Sequence, residues 1–430
     1  MPRSKQTFEV NSWTDVGVDA IQTPELNSDQ RAKFVVIGAG YSGVAAARRL
    51  ATLHPDSEIV LLESEWFGDG SSSRSSGFVV SLGQFERPSS PENQRCYRFG
   101  KTAIEVLREL VQHHQIDCDW MDQGRIVTCR CRSGARSLER TERVLKKLGS
   151  PFEKLDGAAI HEETGMSGYV FGIRQADSVL VNPAKLLVGL VKALPSNVSV
   201  YQDASVRSLT RKSNGRGVLV KTEAVTLEAE NVLITSNAFS LLLGHGQHRV
   251  FPMRTFVSVA KLNGGNGLGS DPDWGITSSE RVGSSLRRVN DRVFIRNSAY
   301  YGYHSSGGRL DNLAQISGFQ RRSIQRRFPD ADVAIENTWS GVIGITANGG
   351  QLFGQVGDGI YLSTGYNGHG IAQGTRSGEL LADLASGKQS NDLQEIMKIR
   401  KPNWLPIGFP LRMGVAAYCR YLEWRYRDEI

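Results

Sequence analysis

The stretch "KFVVIGAGYSGVAAARRLATLHPDSEIVLLES", residues 33–64, leaves few folds open to this chain. Residues 34–37 form a short, unbroken apolar run, the pattern of a parallel strand buried on both faces. Gly38, Gly40 and Gly43 follow in the spacing G-x-G-x-x-G. The first permits a tight turn, the second lets backbone approach a pyrophosphate, and the third lets a helix lie close to the strand. A helix from about Ser42 would aim its free N–H groups at phosphate. A second strand, 59–62, ends in Glu63, twenty positions after Gly43 and placed to accept ribose hydroxyls. That acid disfavours the extra 2′-phosphate of NADP. The unit specifies a dinucleotide and leaves NAD and FAD both open.

Two further segments narrow the choice. "GDGSSSRSSGFVV", residues 68–80, follows a strand tip with small residues and many hydroxyls, and reads as a ligand loop in preference to a serine-rich linker. "GIYLSTGYNGHGIAQGTRSGELLADLASG", residues 359–387, repeats the plan of strand, glycine turn and helix. Its strand is 360–364, its turn carries Gly365, Gly368 and Gly370, and its helix runs from Ile371 to Leu384, ended by Gly387 in the C-cap manner. One NAD rarely needs two such turns. FAD is longer: one helix N-terminus takes its pyrophosphate, and a second beside the ring stabilises the negative charge of reduction. The two turns are expected to hold opposite ends of one FAD.

Composition excludes several other classes. No run approaches the roughly 18 apolar residues of a membrane helix, and the N-terminus lacks a secretory layout. Five cysteines contain no C-x-x-C pair, which suggests neither a metal site nor a disulfide framework and points to a reduced, cytoplasmic setting. The net charge of +7, from 51 basic and 44 acidic residues, is thinly spread, so no nucleic-acid partner is expected. Basic residues are densest in the tail "KIRKPNWLPIGFPLRMGVAAYCRYLEWRYRDEI". It reads either as a solvated surface helix or, because aromatics alternate with arginines, as peripheral attachment to an anionic membrane.

"VVIGAGYSGVAAARRLA", "SSSRSSGFV", "VNPAKLLVGLVKAL", "VLITSNAF", "WSGVIGIT" and "GYNGHG" occur in an order and at spacings that resemble the D-amino-acid oxidase superfamily of flavoproteins. The likeness is greatest to its branch of gamma-glutamylputrescine oxidoreductase, glycine oxidase and sarcosine oxidase. It implies a Rossmann-like α/β FAD-binding domain (about 30–85, 180–245 and 335–390). With this is interleaved an α+β substrate domain on a mixed sheet (86–179 and 246–334), with an N-terminal extension (1–29) and a helical tail (391–430). The implied reaction takes hydride from the C–N carbon of an amine or amino acid to flavin N5, and the imine then hydrolyses. A flavin hydroxylase and a non-catalytic flavin-binding pathway subunit are the alternatives. In the sarcosine oxidase type a cysteine after the WSG-like region can carry the flavin; the corresponding "VIGITANGG" has none, so the resemblance implies non-covalent FAD. The resemblance leaves oxygen or a quinone as electron acceptor. Oxygen-using relatives of the sarcosine oxidase kind place a lysine over the flavin, and its absence from "RVFIRNSAYYGYH" leans toward an acceptor other than oxygen, such as a quinone.

The resemblance also distributes roles. FAD contacts are expected from Gly38, Gly40, Tyr41, Ser42, Gly43 and Glu63, from Ser71, Ser72, Arg74, Ser75, Ser76 and Gly77, and from Val206, Asn237 and Gly341. Gly365, Gly368, His369, Gly370 and Ile371 complete the set. His369, between two glycines with little core to join, is the leading catalytic candidate. Tyr366 would wall the pocket, and Arg254, Arg288 or Arg296 would pair a substrate carboxylate. Tyr301, with Tyr300, Tyr303 and His304, would line an amine pocket, and the helical segment "YRFGKTAIEVLRELVQHHQ" would pack beside it. Two positions depart from the family pattern. Arg74-Ser75-Ser76-Gly77 stands where relatives show Arg-Asn-Gly-Gly, and Asn348 stands where an aspartate is frequent.

Overall fold

In the computed structural model the strand Gln30–Ile37 lies mid-sheet, paired in parallel with Thr226–Ile234 on one side and Ile59–Leu62 on the other. The structure describes residues 10–14, 21–83, 91–213, 216–263, 268–280, 283–303 and 313–430. The unbroken apolar run reflects burial on both sides of the strand. Phe34 and Val36 pack against Val44, Ala47 and Leu50 of the helix Tyr41–Leu53, whereas Val35 and Ile37 pack against Val218, Val220 and Leu227. From edge to edge the sheet runs Leu352–Gly357, Ile360–Thr364, Thr226–Ile234, Gln30–Ile37, Ile59–Leu62, Val198–Tyr201. All neighbours are parallel except the first pair, and the ribbon Ser208–Arg211/Val218–Lys221 adds to Thr226–Ile234.

The second sheet also has eight strands, in the order Asp332–Ile345, Phe251–Asn263, Arg292–Tyr301, Ser285–Val289, Asp273–Ser278, Arg125–Cys129, Phe171–Gln175, Phe152–Asp156. It is mixed: among the described residues only Asp273–Ser278 and Arg125–Cys129 pair in parallel. The chain passes between the two sheets repeatedly, giving an interleaved α/β fold. Two expectations shift. The strand Asp332–Ile345 pairs along its length with Phe251–Asn263 and so belongs to the second sheet, although the division from sequence puts 335–345 with the first. The helix Pro91–His113 buries Phe99 against Leu380, Leu393 and Ile396, so it packs on the first-sheet helices and not beside a substrate pocket.

The N-terminal segment is pinned between the layers. Trp13 stacks on Phe294 with ring centroids 4.1 Å apart, and its indole N–H donates to the Ser75 carbonyl at 2.9 Å. The buried Asn11 amide donates to the carbonyls of Ser73 (2.9 Å) and Gly68 (3.3 Å). These four bonds and contacts fasten the 68–76 loop, whose own carbonyls have no sheet partner, to the second sheet. Among the described residues no helix is long and apolar enough to cross a membrane.

Helix Ala372–Ala385 lies against helix Tyr41–Leu53 so closely that a Cβ on Gly378 would stand 2.0 Å from the Ser42 carbonyl oxygen. Gly378→Ala is expected to destabilise the protein by about 1–3 kcal/mol through overpacking. Gly414→Ala, where a Cβ meets nothing within 4 Å in a helix interior, is expected to be neutral or stabilising. Urea midpoints of the two variants check the contrast; equal midpoints would show that the helices are not in fixed contact.

Candidate functional site

The first glycine turn opens one end of a single cavity of about 870 Å³ that continues between the two sheets. Gly38 has φ of +96°, which lets its amide donate to Leu62 while the chain reverses into the helix. The first helical bond is Val44 to Gly40, so the N–H groups of Tyr41, Ser42 and Gly43 have no acceptor within the helix. Glu63 accepts from the Ala39 amide at 2.8 Å through one oxygen and from the Ser64 and Glu65 amides through the other. Burial raises its carboxyl pKa, and those amide bonds oppose the shift. Val206 lies at this end too: Ala204 donates to the Glu63 carbonyl, and both residues line the wall.

The middle wall is the 68–76 loop with Ser236, Asn237 and Gly341. Arg74, 4% exposed, donates to the Asp69 carbonyl at 2.6 Å and the Ser340 carbonyl at 3.3 Å, joining this loop to the second sheet. Asn237 Oδ1 accepts from Thr364 and from the Gly365 amide, which ties the wall to the second glycine turn. Ser236 Oγ is buried with no partner among the described residues. An orphaned hydroxyl, two uncapped helix N-termini and a gap beside Gly40 that a Cβ would close against Ser72 Oγ (2.5 Å) fit an extended phosphate-bearing dinucleotide.

The far end is built by the second turn. Asn367 and Gly368 take left-handed backbone, and the helix begins with Gln373 donating to the His369 carbonyl. The N–H groups of Gly370 and Ile371 therefore precede the helical ladder, at the cavity wall. The His369 ring lies over Gly83, where a Cβ would come within 2.6 Å of Cε1. Burial, then the charges on Arg125 and Arg296, lower its pKa to about 4 against the opposing Tyr366 backbone bond, so the imidazole is neutral at pH 7. Tyr366 is buried beneath, its hydroxyl bonded to Ser42 Oγ and Ser363 at 2.9–3.0 Å, and burial pushes its phenol up to about 12.

Several residues singled out from sequence do not reach the cavity. Gly43, Gly77 and Gly365 are pressed against the Gly38 carbonyl, the Val181 carbonyl and Thr346 Cγ2, which makes them packing positions. Arg254 fails by strand alternation: Met253, Thr255 and Val257 line the cavity, and Arg254 points to the opposite face, bonded to Ser340 Oγ at 2.9 Å. Tyr300, paired with Arg254, shares that face. Tyr301 stacks on the cavity-lining Phe251 without itself entering the wall, and Tyr303 donates to the Ala238 carbonyl. Arg288 is bound to the carbonyls of Leu268, Asp271 and Asn290, away from the site, and His304 lies outside the described residues. Asn348 holds the tail through Lys401 and Asn403.

The structure also brings in residues that the sequence reading passed over. Arg125, Thr277 and Ser285 reach the far end from three strands of the second sheet. The tail helix Phe409–Arg425 supplies Val415, Tyr418, Cys419, Leu422 and Glu423, so part of the tail is cavity wall and not free surface. Burial raises the Cys419 thiol pKa, which removes thiolate character. Spacing in sequence offers no signal for these residues, because register across the sheet and the return of the tail bring them together.

A sequence model of the family described as FAD dependent oxidoreductase (DAO) matches residues 33–384. A probable oxidoreductase, OrdL, of Rhizobium meliloti is 28% identical over 393 residues, covering 87% of this chain and 88% of that protein. The gamma-glutamylputrescine oxidoreductase of Escherichia coli is 24% identical over 377 residues, covering 84% and 85%. Among solved structures, glycine oxidase from Geobacillus kaustophilus superposes with a TM-score of 0.68 at 22% identity, covering 84% of this chain and 96% of that one.

Two outcomes are expected. Glu63→Arg should lose bound flavin while remaining soluble, whereas Glu63→Gln, which keeps an acceptor for the Ala39 amide, should retain more; the flavin-to-protein absorbance ratio after gel filtration checks this, and undiminished flavin in Glu63→Arg would remove Glu63 from the site. His369 is lowered from an ordinary value near 6.5 to about 4, so between those pH values the unfolded chain binds a proton that the folded protein does not. Stability should therefore fall as pH drops through that window, by on the order of 3 kcal/mol from this residue. His369→Gln should flatten that part of the pH–stability curve measured by urea unfolding.

Proposed function

The chain belongs to the FAD-dependent oxidoreductase (DAO) family, and on that premise we propose that it oxidises the C–N bond of an amine or amino acid. The observation that carries this reading is the single cavity running from Glu63 to His369 and Arg296, with a helix N-terminus opening onto it at each glycine turn. When bound, FAD supplies a two-electron acceptor at N5 for the hydride leaving the substrate carbon. Water then converts the resulting imine to a carbonyl compound and a released amine or ammonia. The protein's part is positioning. N–H groups at Gly370 and Ile371, free of the helical ladder at the cavity wall, would stabilise the negative charge gained by a ring bound at this end, and such preorganised donors are worth a few kcal/mol. His369, with a pKa of about 4, is too weak a base to hold the proton of an ammonium substrate. Its role is to donate to or orient an amine that arrives neutral.

A hydroxylase reading is disfavoured by Gly357 and Asp358. Gly357 ends the strand Leu352–Gly357, and Asp358, salt-bridged to Arg211, turns with Gly359 directly into the antiparallel strand Ile360–Thr364, so a strand follows them and not a helix. The non-catalytic reading has no comparable support, since the cavity retains room and donors at its far end. We extend the proposal to the acceptor: the tail helix exposes Phe409, Met413, Tyr421 and Trp424 among Arg412, Arg420 and Arg425, which suits an anionic membrane surface and a quinone. Co-sedimentation with anionic vesicles tests the surface, and peroxide released at the turnover rate would assign oxygen instead.

Anaerobic mixing with a panel of amines and amino acids, without NADPH, should bleach the yellow flavin. Bleaching by NADPH alone would establish the hydroxylase, and bleaching by neither would leave a binding subunit. With the best substrate, His369→Ala should keep its FAD and slow reduction roughly a hundredfold, as loss of one preorganised donor does. Equal stopped-flow rates would take His369 out of the reaction. Acid precipitation should leave a colourless pellet, consistent with non-covalent FAD.

A further inference from the structure

The tail helix Phe409–Arg425 walls the cavity yet has little core of its own. Val415, Tyr418, Cys419, Leu422 and Glu423 line the cavity at the spacing of one helical face. Phe409, Met413 and Trp424 each stand nine positions, about two and a half turns, from Tyr418, Leu422 and Val415. They lie on the face turned away from the cavity and are 74%, 53% and 67% exposed. Of the helix's 17 residues only Leu411 and Leu422 are buried, whereas Ala372–Ala385 buries most of its length. The strands Phe251–Asn263 and Arg292–Tyr301 also line the cavity, and each is hydrogen-bonded on both sides.

What holds the helix lies at its two ends. Before it, the Leu405 amide donates to the His248 carbonyl at 2.8 Å, and Arg249 donates to the Pro402 carbonyl at 2.9 Å. After it, the Glu429 side chain is enclosed, with the residue 1% exposed. Its Oε1 accepts from the Arg130 amide at 2.8 Å and from the Cys131 amide and thiol at 3.2 Å, and its Oε2 accepts from Ser278 Oγ at 3.2 Å. The Ile430 carbonyl accepts from Arg326 at 2.7 Å. The carboxylate thus sits at the start of helix Arg132–Leu148, whose N-cap residue, Cys131, makes no side-chain cap bond. Between the first anchor and the tail helix stands Gly408, with φ of +69° and ψ of −141°, a conformation that favours glycine. A Cβ there would meet nothing within 4 Å, so backbone freedom and not packing selects the glycine.

A segment opens locally at the cost of the contacts it alone makes. For this helix those are two buried leucines, one side of the cavity wall and the bonds of Glu429. Hydrogen bonds that exchange with water on opening contribute only modestly. We infer that the tail helix is a gate over the cavity: it turns on Gly408, Glu429 is the latch that holds it shut, and ligands enter and leave when the latch releases. Such a gate goes beyond the proposed amine oxidation, since it serves whatever chemistry the cavity carries out. Cys419, half-buried on the inner face, reports the state of the gate. Burial raises its thiol pKa, so opening both uncovers the sulfur and makes it reactive.

The test labels thiols of the flavin-loaded protein with N-ethylmaleimide and reads each cysteine separately by peptide mass spectrometry. The parent carries Cys131→Ser, which keeps a hydroxyl donor at the latch and removes the thiol beside it. Adding Glu429→Ala should speed labelling of Cys419 roughly tenfold to a hundredfold, the range for losing a hydrogen bond to a charged group. Labelling of the buried Cys118 should stay as slow as in the parent. Amide hydrogen exchange should quicken across 409–425 and not across 372–385. Glu429→Gln, which keeps an acceptor and loses the charge, should fall between parent and Glu429→Ala, and it serves if the alanine variant does not fold. Unchanged Cys419 labelling in folded variants would overturn the gate. So would equal acceleration at Cys118 or across 372–385, which would mark a general loosening of the fold. These readouts need no turnover. Gated labelling with no amine able to bleach the flavin would overturn the proposed reaction and leave the gate standing.

Discussion

Everything at the site depends on the backbone contact between the two helices that leave the glycine turns. Gly374 and Gly378 lie against Ser42, and the Tyr366 hydroxyl bonds to Ser42 Oγ at 2.9 Å. A side chain at Gly378 would force the helices apart, and the two N-termini would no longer open onto one space. Close helix approach of this kind is available only where a Cβ is missing. The contact therefore brings two separate sequence motifs together on the wall of a single cavity.

The cavity is polarised in a way that follows from that geometry. Near Glu63 the chain offers amide donors and a half-buried acid that several amides already hold. At the far end it offers the amides of Gly370 and Ile371, a neutral imidazole and two arginines. The same burial acts in opposite directions, raising the Glu63 carboxyl pKa and lowering that of His369. A low-dielectric space penalises whichever form is charged.

Segments outside the span shared with the family, 33–384, complete the enclosure. Asn11 and Trp13 hold the 68–76 loop from one side. The tail helix closes the other with Val415, Cys419 and Leu422, and the chain end is fastened beyond it. There Glu429 accepts from the Arg130 amide at 2.8 Å, and its carbonyl accepts from Arg327 at 3.1 Å. Both segments cross from one sheet to the other, which couples the loop that faces the cavity to the packing of the second sheet.

The sequence by itself determined the parts whose signals are local. Strands 59–62 and 360–364 are found where their apolar runs place them, and the glycine spacing, the acid at Glu63 and the left-handed Gly387 that follows the helix C-cap are each readable from local sequence. The place of His369 on the cavity wall was legible for the same reason: a histidine between glycines at a strand-to-helix turn has few core neighbours to join. Only the tertiary structure decided which arginines face the cavity. A strand's two faces look alike in sequence until its register and its bulge are known, and the bulge between Phe256 and Val257 lies on the strand that turns Arg254 outward. Arg125 and Thr277 lie about 150 residues apart and become neighbours through one parallel pairing, and the tail becomes cavity wall by packing on Phe251 and Met253. Such long-range pairings are set by how whole sheets and helices bury their surfaces together, and no short window of sequence carries that information.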